Sequence, residues 1–128
     1  MIRGLTYPVP NNIAYVAHAR RAVRKALADW GHERIADDLV LVISELVTNS
    51  IIHGAPEIVL TLHIEGTTLF GAVTDHGPDL PHLLNPDDHA EHGRGLALVS
   101  DLVRTMGWCR ASDGSKQVWF TYPLPEPP

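Results

Sequence analysis

The sequence predicts an α+β fold, a two-layer α/β sandwich with helices on one face of a mixed β-sheet. Two segments, near residues 14–30 and 34–52, carry apolar residues at helical spacing, and the following segments are instead rich in Val, Ile, Thr and Leu. Elements of both kinds that must each bury one apolar face are most simply arranged as two layers. We expect a single domain over residues 1–128, with its core at about 3–124 and a Pro-rich tail at 125–128.

The first half of the chain is predicted to form a strand followed by two helices. The strand lies near Arg3–Tyr7, and prolines end it. An asparagine at position 11 or 12 can cap a first helix at Ala14–Trp30. Gly31 stops that helix, and a second one is predicted at roughly Arg34–Ile52, with an apolar stripe facing the core.

The second half is predicted to be mainly strands, interrupted by a lid and one helix. Glu57–Ile64 and Thr68–Asp75 form a β-hairpin, and the Pro-broken, His-rich residues 76–92 form the lid. The remaining elements are a helix at about Gly95–Met106 and strands near Trp108–Ala111 and Gln117–Tyr122. The expected order is therefore β-α-α-β-β-lid-α-β-β.

The composition argues against nucleic acid and membrane partners. The formal net charge is -5 and the pI is near 5.8, whereas DNA, RNA and anionic lipids select clustered Lys and Arg. Cys109 has no second cysteine to pair with, and the first ten residues lack the apolar run of a signal peptide or membrane helix. We expect a cytoplasmic protein.

Three polar residues of the second helix recur every four positions: Glu45, Asn49 and His53. Each lies only about 40° around the helix from the last, so they form one polar stripe. A carboxylate can activate a hydroxyl, a carboxamide oxygen can bind Mg²⁺, and an imidazole can meet phosphate. The stripe therefore suits phosphoryl transfer, although an ordinary solvated helix face is the plain alternative.

Two glycine-containing segments add to this pattern. Asp75 ends a predicted strand and is followed by His76-Gly77-Pro78, so its carboxylate can accept from the amine of an adenine; it can also be a simple turn former. Gly93-Arg94-Gly95 opens the third predicted helix, where backbone N–H groups favour phosphate. The spacing fits neither a P-loop nor a dinucleotide fingerprint.

In order, Glu45-Leu-Val-Thr-Asn49-Ser-Ile-Ile-His53-Gly54, Asp75-His-Gly77 and Gly93-Arg-Gly95-Leu96 resemble the N, G1 and G2 boxes of the GHKL (Bergerat-fold) ATPase superfamily. Within it, the chain looks most like the anti-sigma factor serine/threonine kinases and short actinobacterial ATP-binding regulatory proteins. The resemblance covers most of the chain.

The resemblance implies a role for each matching residue, with ATP and Mg²⁺ as cofactors. Glu45 would be the general base, Asn49 the Mg²⁺ ligand, and His53 a residue on the phosphate side. Asp75 would recognise the adenine, Gly77 would let the base approach, and Thr121 would back the adenine together with Asp75. The residues expected near the phosphates are Gly93, Arg94, Gly95 and Leu96.

The resemblance implies a protein kinase that phosphorylates a serine or threonine of an antagonist protein and separately sequesters a sigma factor. The alternative is a non-catalytic module of the same fold, in which nucleotide only biases binding of a protein partner. We expect neither a sensor histidine kinase, because no phosphoacceptor helix precedes the domain, nor a gyrase- or chaperone-like ATPase, because no following domain supplies a lysine.

Two further possibilities concern the lid and the first strand. A metal site could be chosen from the polar lid residues, but they lack the spacing of a known zinc motif, and a solvated lid is the preferred interpretation. Those residues are His76, His82, Asp87, Asp88, His89, Glu91 and His92. If the first strand is an exposed edge, two copies can pair there as a homodimer, as family kinases do.

Overall fold

The structure, a computed structural model, describes residues 3–78 and 91–125, with the side chains of 91–96 left out of the description. The order of helices and strands matches the predicted order, and most of the predicted lid at 76–92 lies outside the described residues. The strands are β1 (Arg3–Val9), β2 (Ile58–Glu65), β3 (Thr68–Asp75), β4 (Thr105–Arg110) and β5 (Lys116–Pro123). The helices are α1 (Val16–Asp29), α2 (Ala36–His53) and α3 (Glu91–Leu102), and short 3-10 turns lead into α1 and α2.

The strands described form one sheet in the order β1-β2-β3-β5-β4. Each neighbouring pair in it is antiparallel, so the expectation of a mixed sheet is wrong. The physical reason is the position of β5. In the chain, β3 lies before α3 and β4 lies after it, and these two strands run in the same direction. In the sheet, β5 lies between them and pairs with both in the opposite direction.

Capping and turn chemistry set the ends of the first helical segment. The Asn12 side chain accepts a hydrogen bond from the Ala14 N–H at 2.9 Å, which decides between the two asparagines considered as caps. Gly31 follows α1 with φ +80°, a conformation that favours glycine and lets the chain reverse towards α2.

The helices cover one face of the sheet, which confirms the two-layer α+β prediction. Alternate strand residues point towards α2 and form a continuous apolar core with it. That core contains Leu39, Ile43, Leu46 and Val47 of α2 together with Leu60, Leu62, Leu69, Val73 and Phe120 of the sheet. Among the described residues, no helix is long and apolar enough to cross a membrane.

The third helix differs from its predicted bounds. It begins at Glu91 and ends at Leu102, whereas the sequence suggested about Gly95–Met106. Met106 belongs instead to β4, where it lies opposite Phe120 of β5. Pairing of β4 with β5 outweighs the local helical pattern, because the ladder satisfies backbone groups of β5 that a longer helix would leave unpaired.

Candidate functional site

The polar stripe of α2 lies beside its buried apolar stripe. Glu45 and Asn49 are half-buried and His53 is exposed, whereas Leu46 and Val47 are fully covered. The stripe therefore reaches solvent near the carboxyl end of α2.

Asp75, at the end of β3, is tied directly to this end of α2. Its side chain is buried, with 1% of the residue exposed. The Ser50 hydroxyl donates to Oδ2 at 2.8 Å, and the Gly77 N–H donates to Oδ1 at 2.8 Å. Because Ser50 directly follows Asn49, the structure brings the Asp75 carboxylate to the helix that carries the polar stripe.

The turn after Asp75 packs against the end of α2 through two glycines. The His76 N–H donates to the Ala55 carbonyl at 2.9 Å. A Cβ on Gly54 would lie 2.5 Å from the Asp75 Cγ, and a Cβ on Gly77 would lie 2.5 Å from the Gly54 Cα. Neither position has room for a side chain, so glycine is required for this close approach.

Lys116 is a site residue that the sequence analysis missed. It lies opposite Asp75 in the β3–β5 ladder, and its Nζ is 3.4 Å from Asp75 Oδ1. The two side chains are only 5% and 2% exposed. A signal was present, since Lys116 shares the inward face of β5 with Val118 and Phe120, and a lysine in such a series requires a partner.

Thr121 is not brought to Asp75, contrary to the expectation. It pairs with Phe70, which lies five residues before Asp75 and points to the opposite face of the sheet. Its hydroxyl lies 2.5 Å from that of Thr105, and it lines a groove on the outer face together with Thr61 and His63. The strand alternation therefore excludes Thr121 from any ligand held by Asp75.

Of the glycine-rich segment the structure gives the backbone. Gly93 and Gly95 lie within the first turns of α3, which starts at Glu91, whereas the sequence placed the start of this helix at about Gly95. The backbone of Arg94 and Leu96 lies in the same turns, and their side chains are outside the description.

The suggested metal ligands fall largely outside the described residues. This applies to His82, Asp87, Asp88 and His89, and to the side chains of Glu91 and His92. His76 is described and exposed. Within residues 3–78 and 91–125, no cluster of three or more His, Cys, Asp or Glu side chains could hold a metal ion.

Arg110 links the β4–β5 hairpin to the turn after Asp75. Its guanidinium donates to the carbonyl of Gly77 at 3.4 Å, to that of Pro78 at 3.2 Å and to that of Gly114 at 3.1 Å. Sequence patterns gave no sign of this contact, because its acceptors are backbone groups distant in the chain.

The site geometry agrees with a family comparison. A family model described as the histidine kinase-like ATPase domain matches residues 9–122. The chain belongs to the histidine kinase-like ATPase (GHKL) family. The predicted family resemblance is thereby confirmed.

Curated relatives of this histidine kinase-like ATPase domain come from Mycobacterium tuberculosis. The sensor histidine kinase component HK1 of strain ATCC 25618 / H37Rv is 32% identical over 108 residues, covering 72% of this chain and 64% of that protein. A probable sensor histidine kinase HK of strain CDC 1551 / Oshkosh is also 32% identical over 108 residues, covering 72% and 29%. The chain spans less than two thirds of the length of either relative.

Solved structures show the same fold. The RsbU and RsbW domains of Rv1364c from Mycobacterium tuberculosis match with a TM-score of 0.72 and 24% identity, over 94% of this chain and 32% of that one. The Acinetobacter baumannii histidine kinase AdeS matches with a TM-score of 0.56 and 16% identity, over 95% and 68%.

The described residues fit a nucleotide of the kind that the family name implies. An ionised carboxylate offers about four lone-pair positions, and Asp75 directs one to each of Ser50, Gly77 and Lys116. Oδ2 accepts from Ser50 alone among these three, which leaves it able to accept from an exocyclic amine. The Gly54–Gly77 contact keeps the turn free of side chains beside that carboxylate.

Proposed function

We propose that the protein is an ATP- and Mg²⁺-dependent kinase of the anti-sigma factor type, which phosphorylates a serine or threonine of an antagonist protein and separately binds a sigma factor. The observation that supports the proposal best is the Ser50–Asp75 hydrogen bond. It joins the expected base-recognition residue to the helix that carries the Glu45, Asn49 and His53 stripe.

In this proposal the base is bound at the end of β3. Asp75 accepts from the exocyclic amine of adenine, and Gly77 lets the base approach the turn. Ser50 and the Gly77 N–H hold the carboxylate in place, with one hydrogen bond to each of its oxygens.

The phosphates are bound towards the polar stripe. Asn49 provides a carboxamide oxygen for Mg²⁺, which when bound would neutralise charge on the phosphates. Glu45, one helical turn earlier, orients the attacking hydroxyl and accepts its proton. His53 lies on the phosphate side, and the first turns of α3, with Gly93, Arg94, Gly95 and Leu96, face the phosphates with the positive end of the helix dipole.

A second candidate is the ATP-binding part of a sensor histidine kinase. It is favoured by the 32% identity to two proteins named as sensor histidine kinases, a class that the sequence analysis disfavoured. The nucleotide site would be used in the same way, but the acceptor would be an imidazole instead of a hydroxyl. The chemistry of the phosphorylated product separates the two candidates.

The first experiment is a calorimetric titration with ATP and ADP, with and without Mg²⁺. We expect Mg²⁺-dependent binding that Asp75→Asn removes. Because Asp75→Asn removes the carboxylate that pairs with the buried Lys116, the Asp75→Asn/Lys116→Met double variant serves as the matched control for folding. Absence of binding to the wild-type protein at millimolar ATP would exclude the nucleotide site.

The second experiment separates binding from transfer. Asn49→Ala should lose Mg²⁺-dependent affinity for ATP. Glu45→Ala should bind Mg-ATP normally but should transfer no phosphate from γ-³²P-ATP to the proteins of a lysate. An acid-stable label would support the hydroxyl acceptor, and an acid-labile label would support the histidine candidate. If the wild-type protein produced neither kind of label, the non-catalytic binding module would be the remaining interpretation.

A further inference from the structure

The proposed base Glu45 has an exposed apolar neighbour on α2. Leu41 lies one helical turn before Glu45, about 40° around the helix axis and about 6 Å along it. Unlike its neighbours Val42 and Ile43, Leu41 is 40% exposed and lies outside the core. Its apolar surface is therefore on the solvent side of the helix, next to the polar stripe.

Two arginines of α1 lie beside Leu41. The Arg20 Nε donates to the Ser44 hydroxyl at 2.6 Å. The Arg24 guanidinium donates to the Asp37 carboxylate at 2.9 Å. Asp37 is four residues before Leu41 and Ser44 is three residues after it, so Leu41 lies between the two contacts. We call Leu41, Arg20 and Arg24 together the arginine–leucine patch.

The patch carries positive charge in an acidic protein. Four of the ten Lys and Arg residues lie at positions 20–25, and all four are exposed, whereas the whole chain has a formal net charge of -5. Within the described part of the chain, Arg20 forms one side-chain hydrogen bond, through Nε, so its Nη groups can bind a carboxylate. The exposed Arg24–Asp37 pair contributes little stability, so Arg24 can exchange this partner for another carboxylate.

The proposed reaction places the patch on the acceptor side of Glu45. Asn49 and His53, which are assigned to Mg²⁺ and the phosphates, both follow Glu45 along α2. The attacking and leaving oxygens of a phosphoryl transfer lie roughly in line, so the acceptor approaches from the side opposite the nucleotide. Along α2 that is the side of Leu41. Residues that flank the phosphorylated side chain therefore meet the arginine–leucine patch.

We propose that the arginine–leucine patch is the docking site for the acceptor segment and selects a serine or threonine that is flanked by an apolar and an acidic residue. The apolar side chain packs on Leu41, and the carboxylate pairs with an arginine of α1. This inference rests on the proposed function, and it names the acceptor chemistry that the proposed function leaves open.

The test measures phosphate transfer from γ-³²P-ATP with Mg²⁺ to synthetic peptides that carry one central serine. The two residues that flank the serine are Leu and Asp, Leu and Lys, Ala and Asp, or Asp and Asp. The wild-type protein should phosphorylate the Leu/Asp peptide with a kcat/KM at least about 10-fold higher than that of each other peptide, since each of the others lacks one contact with the patch.

Variants of Leu41 test which residue reads the apolar position. Leu41→Lys should lose the preference for Leu and should instead favour the Asp/Asp peptide, whereas Leu41→Met, of similar volume, should keep the wild-type preference. Ile13→Lys makes the same change at another exposed apolar residue and should also keep it. Affinity for Mg-ATP should stay within about twofold of the wild-type value in all three variants, as expected for surface changes away from the nucleotide.

Each other outcome has a separate meaning. Equal transfer by the wild-type protein to all four peptides would overturn the inference, and so would an unchanged preference in Leu41→Lys. Labelling of lysate proteins without labelling of any peptide would overturn it as well, because the acceptor would then be recognised elsewhere. Labelling of neither by a wild-type protein that binds Mg-ATP would instead remove the proposed kinase function, and the inference with it.

Discussion

At the scale of single residues, the place of Asp75 depends on the absence of a side chain at Gly54. A Cβ there would lie 2.5 Å from the Asp75 Cγ and 2.5 Å from the Ser50 carbonyl oxygen, closer than real contacts allow. The carboxylate and the helix end would have to separate. A change at this glycine therefore acts on the candidate site directly.

We predict that Gly54→Ala weakens ATP binding at least about 10-fold, equivalent to ~1.4 kcal/mol, because Asp75 is displaced from Ser50. Calorimetry measures the affinity, and thermal unfolding checks that the variant folds. Gly4→Ala is the matched control, since a Cβ on Gly4 would have its nearest neighbour at an ordinary 3.6 Å. Wild-type affinity in Gly54→Ala would show that Asp75 does not bind the nucleotide.

Tyr122 couples stability to alkaline pH. Burial, together with the hydrogen bond that its hydroxyl donates to Asp38 at 2.8 Å, raises the pKa of Tyr122 to about 12 from 10.0. A raised pKa favours the neutral phenol in the folded state, so this stabilisation is complete below pH 10 and is lost as the pH rises towards 12.

We predict that Tyr122→Phe is less stable than the wild-type protein near neutral pH and loses less stability between about pH 10 and 12. Urea unfolding at a series of pH values measures both effects. Parallel loss of stability in the two proteins over that interval would contradict the assignment to Tyr122.

At the scale of elements, the β4–β5 hairpin holds the turn after Asp75 through Arg110. Its contacts with the carbonyls of Gly77 and Pro78 join the two segments, and its contact with the Gly114 carbonyl lies within the hairpin. The same hairpin carries Lys116, so its position affects both sides of the Asp75 carboxylate.

We predict that Arg110→Gln weakens ATP binding by about 3- to 10-fold, as the loss of one or two exposed hydrogen bonds worth ~0.5–1.5 kcal/mol each implies. The midpoint of thermal unfolding should change little, because Arg110 is exposed. Arg104→Gln, an exposed arginine just before β4, is the control in the same calorimetric titration. An equal effect of both variants would indicate a general loss of positive charge.

The elements were more predictable than their pairing. Local patterns gave the order of helices and strands and placed β3 at Thr68–Asp75, because helical and strand periodicity are properties of neighbouring residues. They did not give the insertion of β5 between β3 and β4, which depends on contacts far apart in sequence. The error at Thr121 followed from this, since only the register shows which residue of β5 lies opposite Asp75.

The site was predictable in the same measure. Local spacing predicts the polar stripe of Glu45, Asn49 and His53 and the strand-end position of Asp75. Lys116 and Arg110 are instead brought to the site by the pairing of strands that are distant in sequence. The roles of the predicted residues remain predictions until nucleotide binding is measured.

At the scale of the whole molecule, the sheet leaves β1 at one edge. Pro8 lies in this strand and has no N–H, so its backbone is best accommodated facing away from β2. The N–H and C=O groups of successive residues point to opposite sides of a strand, so those of Thr6, two residues before Pro8, face the open edge as well. An open edge of this kind can pair with a second copy.

We expect a homodimer in which two β1 edges pair, and we predict that Thr6→Pro makes the protein monomeric by removing an outward N–H. Thr6→Ala keeps that N–H and should remain dimeric. Light scattering coupled to size exclusion measures the molar mass, and a dimeric Thr6→Pro protein would place the interface elsewhere.

The insertion of the last strand between two earlier ones has a consequence for synthesis of the chain. Until Lys116–Pro123 has left the ribosome, β3 and β4 each lack a neighbour, and Asp75 lacks Lys116. A nascent or truncated chain that ends before β5 would expose the apolar edge of β3, which favours misassociation. Completion of the sheet and completion of the candidate site are thus the same late event, so shortened products should be recognised by quality control and should not accumulate as partly active protein.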